Sequence, residues 1–148
     1  MSNRFSNTIL YLIFETMTPR FKNCLLIDDN YIDNFVTRKI LESGNFVENI
    51  VVRQSPDEAI ESLRSGLVKP DVIFLDIRMP MMSGFQFLEE YDKLEIENQE
   101  DIKMFMLSSS LDPTDMKKSL LNKYISNYIH KPITHKAIED LFAHDLSC

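Results

Sequence analysis

Cysteine is scarce in this chain: only Cys24 and Cys148 occur, with no CxxC or Cys/His grouping between them. That spacing argues against a disulfide framework and a thiolate metal site, so both thiols read as structural or incidental. Long apolar runs are missing as well. The stretch from Ile9 to Phe14 falls far short of the roughly 20 residues that span a bilayer, and no small-residue cleavage site follows it. Positive charge is in deficit, 16 Lys and Arg against 23 Asp and Glu, for a formal net charge of -7. Nucleic acid and anionic membrane carry the same sign, so partners should be proteins, metal ions or small phosphate donors. These absences predict a cytoplasmic chain without direct DNA binding and without membrane attachment.

What is present is the composition of an ordinary soluble globular protein: 148 residues, 44% hydrophobic and 26% charged. That length suits one domain with a three-layer core and leaves little for a second module. Residues 1–22 show no clear pattern and read as an N-terminal extension, a variable tail in preference to a short amphipathic helix over an apolar patch. Residues 23–148 form the expected domain.

From residue 23 onward, short apolar runs alternate with helical patterns, the signature of repeated βα units and a parallel sheet covered on both faces. The expected strands are Cys24–Ile27, Phe46–Val52, Val72–Leu75, Met104–Leu107 and Asn127–Ile129. Helices are expected over Tyr31–Ser43, ending at Gly44; Pro56–Ser65, capped by Ser55 and ending at Gly66; Gly84–Leu94; Pro113–Lys123, capped by Asp112; and Thr134 or His135 to Leu146. The fold class is therefore α/β, a (βα)5 doubly wound sheet with five parallel strands. The acidic stretch Glu95–Asp101 reads as a solvated loop.

In such a sheet, functional groups collect beyond the carboxyl ends of the strands, where the chain reverses its winding. That edge receives Asp28 and Asp29 from strand one, Asp76 from strand three, Ser108 from strand four and Lys131 from strand five. Singly, each has a bland role as a helix cap, turn residue or exposed charge, and Asp29 or Asn30 could cap the following helix. Their coincidence at one edge outweighs those readings. Three gathered carboxylates repel unless a cation compensates them, and a hard oxygen-seeking ion such as Mg²⁺ suits the set. An ammonium and a hydroxyl opposite that ion are what a transferring phosphoryl group needs, and a carboxylate nucleophile would yield an aspartyl phosphate.

The pattern Leu-Leu-Ile-Asp28-Asp29-Asn, Val-Ile-Phe-Leu-Asp76-Ile-Arg-Met-Pro80-Met-Met-Ser-Gly84, Met-Leu-Ser108-Ser-Ser and Tyr128-Ile-His-Lys131-Pro132 resembles the receiver domain of two-component response regulators, similar to the chemotaxis-type single-domain members. The resemblance covers about residues 23–146 and implies a flavodoxin-like sheet with strand order 2-1-3-4-5. It implies Asp76 as phospho-acceptor, Asp29 as direct Mg²⁺ ligand, Asp28 as the acid that holds a metal-bound water, and the backbone carbonyl of Arg78 as a further ligand, with Mn²⁺ able to substitute. By the same resemblance Ser108 follows the phosphoryl group inward, Lys131 pairs with that group, and Tyr128 is the aromatic switch. Pro132 matches a cis Lys-Pro bond, and Pro80 and Gly84 match the turn into helix three.

Ser stands at 108 where Thr is more common, and Arg78 and Ser110 occupy positions that tune dephosphorylation in the family. Met79, Met81 and Met82 read equally well as a docking surface or as loop filling. The implied partners are a sensor histidine kinase or histidine phosphotransfer protein, a downstream target, and a second copy through the helix four, strand five and helix five face. With no residues left for an effector domain, output should pass to such a partner. A rival reading as a haloacid-dehalogenase-type phosphatase would need a second Asp where Arg78 stands, so the chain is expected not to be a turnover enzyme. The other reading is a phosphorylation-independent interaction module of the same fold.

Overall fold

The structure, a computed structural model, describes residues 7–10 and 18–146. Residues 7–10 form one helical turn, which exposes Ile9 and Leu10. Cys148 lies outside the described residues. Five parallel strands make one sheet in the order β2-β1-β3-β4-β5: β1 Phe21–Ile27, β2 Val47–Arg53, β3 Val72–Asp76, β4 Lys103–Ser108 and β5 Ile125–His130. The helices are α1 Tyr31–Ser43, α2 Pro56–Arg64, α3 Gly84–Asp92, α4 Pro113–Leu121 and α5 His135–Leu146. The doubly wound α/β fold expected from the sequence is the fold observed.

Alternation along the strands builds two cores. Leu25, Ile27, Ile73, Leu75, Met104 and Met106 pack on one face against Ala59, Ile60 and Leu63 of α2 and Phe87, Leu88 and Tyr91 of α3. Cys24, Leu26, Val72, Phe74, Phe105 and Leu107 pack on the other against Leu41 of α1 and Ile138, Leu141 and Phe142 of α5. Burial on both faces is why β3 is a continuous apolar run that ends in a charge. Each large side chain fully buried in this way contributes about 1.5–3 kcal/mol of transfer free energy. Cys24 is one of the buried strand residues, and its burial pushes the thiol well above its ordinary pKa, leaving it unreactive.

Several boundaries differ from the sequence expectation, for local reasons. β1 begins at Phe21 because Phe21 and Asn23 already pair with Val47 and Asn49 of β2. β5 runs from Ile125 to His130; as an edge strand it exposes the polar Ser126 and His130, and its pairing with β4 passes over Ser126, where the register shifts between Met104 and Phe105. α3 stops at Asp92, where the amides of Lys93 and Leu94 bond three residues back, to Glu90 and Tyr91 carbonyls. α4 stops at Leu121 because Asn122 leaves helical geometry and its side chain accepts the Tyr124 N–H. The expected caps Ser55 and Asp112 are formed, on Glu58 and Thr114 amides respectively.

Glycine is required for different reasons at two positions. Gly44 is not the left-handed residue after α1; Asn45 takes that conformation (φ 54°), while a Cβ at 44 would collide with the Phe46 ring. Gly84 donates its N–H to the Ile77 carbonyl at 2.7 Å, closing the loop between β3 and α3. A Cβ there would lie 2.6 Å from the Asp76 carbonyl oxygen. Backbone cannot yield as a side chain would, so Gly84→Ala should destabilise by about 1–3 kcal/mol, read from urea unfolding. A stability equal to wild type would show that the loop tolerates the intrusion.

Candidate functional site

The reversal of winding lies between β1 and β3, and the carboxyl ends of those strands carry Asp28, Asp29 and Asp76. One carboxylate oxygen from each lies within 4.8 Å of the others. Asp28 and Asp76 are buried, at 1% and 5% relative exposure, while Asp29 is exposed. Lys131, in the loop that follows β5, reaches across to this cluster. Its Nζ donates to Asp28 Oδ2 at 2.6 Å and to Asp33 Oδ2 at 2.9 Å, and lies 3.3 Å from Asp76 Oδ1. The Lys131–Pro132 bond is cis, as the sequence pattern implied.

The surrounding backbone holds these groups in place. Asp28 Oδ1 accepts the Asn30 N–H at 2.9 Å, so both oxygens of that carboxylate are engaged. Asn34, on the buried face of α1, donates from Nδ2 to the Asp28 carbonyl at 2.8 Å. Asn30 rather than Asp29 caps α1, accepting from the Asp33 amide at 3.0 Å, which leaves Asp29 directed to the site's mouth. The Lys131 amide donates to the Ser108 carbonyl at 2.8 Å, tying the ends of β4 and β5.

Ser108 is buried at the end of β4, and its hydroxyl accepts the Ser110 N–H at 2.9 Å. Tyr128 is half-buried; its hydroxyl donates to the Ser110 carbonyl at 3.2 Å. Both residues therefore meet on one loop, but neither hydroxyl bonds the carboxylate cluster. Arg78 follows β3, pairs with Asp115 at 3.2 Å, and lines an open cavity of about 530 Å³ together with Asp29 and Met79. Of the three methionines, Met79 is buried and Met82 packs on the core, so both fill the loop; Met81 alone is exposed.

Electrostatics mark the same place. Burial first, and then the charge of Asp28, push the Asp76 carboxyl up to about 6, against the pull of Lys131. Asp28 is also raised, by burial that outweighs its bonds to Lys131 and to the Asn30 amide. Burial alone would lower the Lys131 ammonium, but hydrogen bonds to Asp28 and Asp33 and the charge of Asp76 hold it above its ordinary value. One ammonium thus meets three carboxylates, Asp28, Asp33 and Asp76, and a fourth, Asp29, lies beside Asp28 and Asp76. The remaining negative charge and an all-oxygen donor set fit a hard divalent cation.

Asp33 was not among the residues picked out from the sequence. Its signal was its place in the first turn of α1, from which a helical side chain leans back towards the strand ends. The acidic stretch read as a solvated loop also contains more order than expected. It includes a short 3₁₀ turn, Gln99–Asp101, and Gln99 is latched to Tyr91 by two hydrogen bonds of 2.6 and 3.2 Å.

The family model of the response regulator receiver domain matches residues 24–143 of this chain. A two-component response regulator from Cytophaga hutchinsonii has a crystal structure that superposes with a TM-score of 0.75 at 30% identity, covering 86% of this chain and 98% of that one. Two-component response regulator ARR17 of Arabidopsis thaliana is 28% identical over 134 residues, 84% of each chain. Protein-glutamate methylesterase/protein-glutamine glutaminase 3 of Burkholderia thailandensis is 37% identical over 70 residues, 47% of this chain. The match spans 19% of that relative's length.

An acid whose folded pKa exceeds its unfolded value binds its proton more tightly in the native state. The stability contributed by Asp76 is therefore fully present below its ordinary value of 3.8 and is lost as pH rises through about 6. In chelator at neutral pH, Asp76→Asn should be more stable than wild type by about 1–3 kcal/mol, a gain that shrinks below about pH 4. Denaturant melts across that range would show it; a gain independent of pH would assign it to packing instead.

Proposed function

This chain belongs to the response regulator receiver family, and on that premise we propose that it accepts a phosphoryl group on Asp76 in a Mg²⁺-dependent reaction and signals through a protein partner. The observation that carries the proposal is the convergence of Asp28, Asp33 and Asp76 on the Lys131 ammonium, beside the cavity that Asp29 and Arg78 line. An Asp76 oxygen attacks the phosphorus of a phosphohistidine or small phosphodonor. The P–O bond to Asp76 forms as the bond to the donor's imidazole or acyl oxygen breaks, and the leaving group takes the electron pair. Lys131 stabilises the charge on the transferring oxygens from a site already aligned by Asp28.

Asp29, with Asp28, Asp76 and the Arg78 carbonyl, would hold Mg²⁺, which when bound neutralises charge on the donor and acceptor oxygens. The Ser108 hydroxyl then exchanges its bond to the Ser110 amide for one to the phosphoryl group. Because Tyr128 bonds the carbonyl of the same Ser110, the loop carries that exchange to β5 and the α4 surface. A few charge-assisted hydrogen bonds suffice for such a shift; moving an equilibrium from 1:99 to 99:1 takes about 5.5 kcal/mol. In this reading the phosphoryl source is a sensor histidine kinase or histidine phosphotransfer protein, in the cytoplasm. The signal then leaves for a target protein, or for a second copy, over the α4, β5 and α5 face.

Intact-mass spectrometry after incubation with acetyl phosphate tests this. Wild type with Mg²⁺ should gain one phosphoryl group, whereas wild type in EDTA and Asp76→Asn with Mg²⁺ should gain none. Equal labelling of Asp76→Asn would remove Asp76 from the role, and no labelling of wild type would favour an interaction module that works without phosphorylation.

A further inference from the structure

We infer that Asp33 is a positioning residue that competes with the incoming phosphoryl group for Lys131 and so slows phosphorylation of Asp76. The inference rests on the reading of Asp76 as acceptor. An ammonium has three N–H bonds to give. In this structure the two shortest contacts of Lys131 go to Asp28 and Asp33, at 2.6 and 2.9 Å, and the longest, 3.3 Å, goes to Asp76. Three acceptors take the three N–H bonds, and the nitrogen sits nearest Asp28 and Asp33; for Lys131 to move closer to a phosphoryl group on Asp76, one of those two shorter contacts has to lengthen.

Asp28 cannot do so cheaply. It is almost fully buried, its second oxygen is committed to the Asn30 amide, and an unpaired charge there would be left without solvent. Asp33 differs. Its side chain is 39% exposed, so water can replace Lys131 as its partner. It also stands in the first turn of α1, where the helix N-terminus stabilises a carboxylate with or without the lysine. Asp33 is therefore the partner that releases Lys131. Until it does, it holds the ammonium off the acceptor and places a fourth negative charge where a dianionic donor must approach.

Asp33 also joins two parts of the chain that are 98 residues apart, the start of α1 and the loop after β5. Phosphorylation that draws Lys131 inward would break that tie, so the entrance of α1 would register the state of Asp76.

The test compares the initial rate of acetyl phosphate labelling, with Mg²⁺, for wild type, Asp33→Asn and Asp33→Glu. Asp33→Asn should be labelled about two- to five-fold faster at low ionic strength, the factor that a part-exposed ion pair represents. That ratio should fall towards one as salt screens the exposed charge. Asp33→Glu, which restores the carboxylate, should return the rate towards wild type. The ¹⁵Nζ resonance of Lys131 supplies a readout independent of labelling: it should shift in Asp33→Asn and return in Asp33→Glu. A loss of helix stability alone would neither accelerate labelling nor make the acceleration salt-dependent. If wild type is labelled and Asp33→Asn is no faster, the inference fails while the acceptor role of Asp76 stands. If wild type is not labelled at all, both fall.

Discussion

The site depends on one buried ion cluster, the Lys131 ammonium set among Asp28, Asp33 and Asp76. Taking a lysine and two aspartates out of water is costly, and their mutual attraction offsets that cost only when each remaining lone pair and proton has a partner. The structure meets this condition for Asp28, which accepts from both Lys131 and the Asn30 amide. It meets it less well for Asp76, whose carboxyl stays protonated to a higher pH than an ordinary aspartate. The unequal treatment of two buried carboxylates at the same edge is an arrangement suited to chemistry: one is held as a fixed anchor, and the other is left with unspent demand for positive charge.

The sheet makes this arrangement possible by making the rest of the molecule rigid. β1, β3 and β4 are apolar on both faces and bury their residues in two cores, so their carboxyl ends are displaced little by anything that happens at the surface. The connections at that edge are closed by short backbone bonds: Gly84 to Ile77 at 2.7 Å across the β3–α3 loop, and Lys131 to Ser108 at 2.8 Å across the ends of β4 and β5. At the same edge the Ser108 and Tyr128 hydroxyls meet opposite ends of one residue, Ser110. The same receiver unit is matched in relatives of very different length, from one that this chain covers over 84% to one it covers over 19%.

Much of this was legible in the residues themselves. Apolar runs bounded by Ser55-Pro56 and Asp112-Pro113 announce parallel strands and capped helices, and the acidic and basic residues at the strand ends are local enough to be read in chain order. What was not legible shares a cause. Gly44 ends α1 as its pattern implied, but the left-handed residue is Asn45, and Gly44 is small because the Phe46 ring from the next segment lies over it. Gln99 looked solvated because its partner, Tyr91, belongs to a helix that ends seven residues earlier. Met79 and Met81 are two residues apart in a loop, and no periodicity tells which is buried.

By itself, the sequence determined the fold class and the group of residues at the carboxyl ends of the strands. These follow from short-range rules: side-chain period, helix capping and the placement of strand ends in a doubly wound sheet. Only the tertiary structure decided which carboxylate binds Lys131 most closely, that Asp33 joins them, and that Ser108 and Tyr128 meet at Ser110. Those contacts depend on ångström-scale distances between segments up to about a hundred residues apart, which are set by how the two cores pack and leave no trace in local pattern.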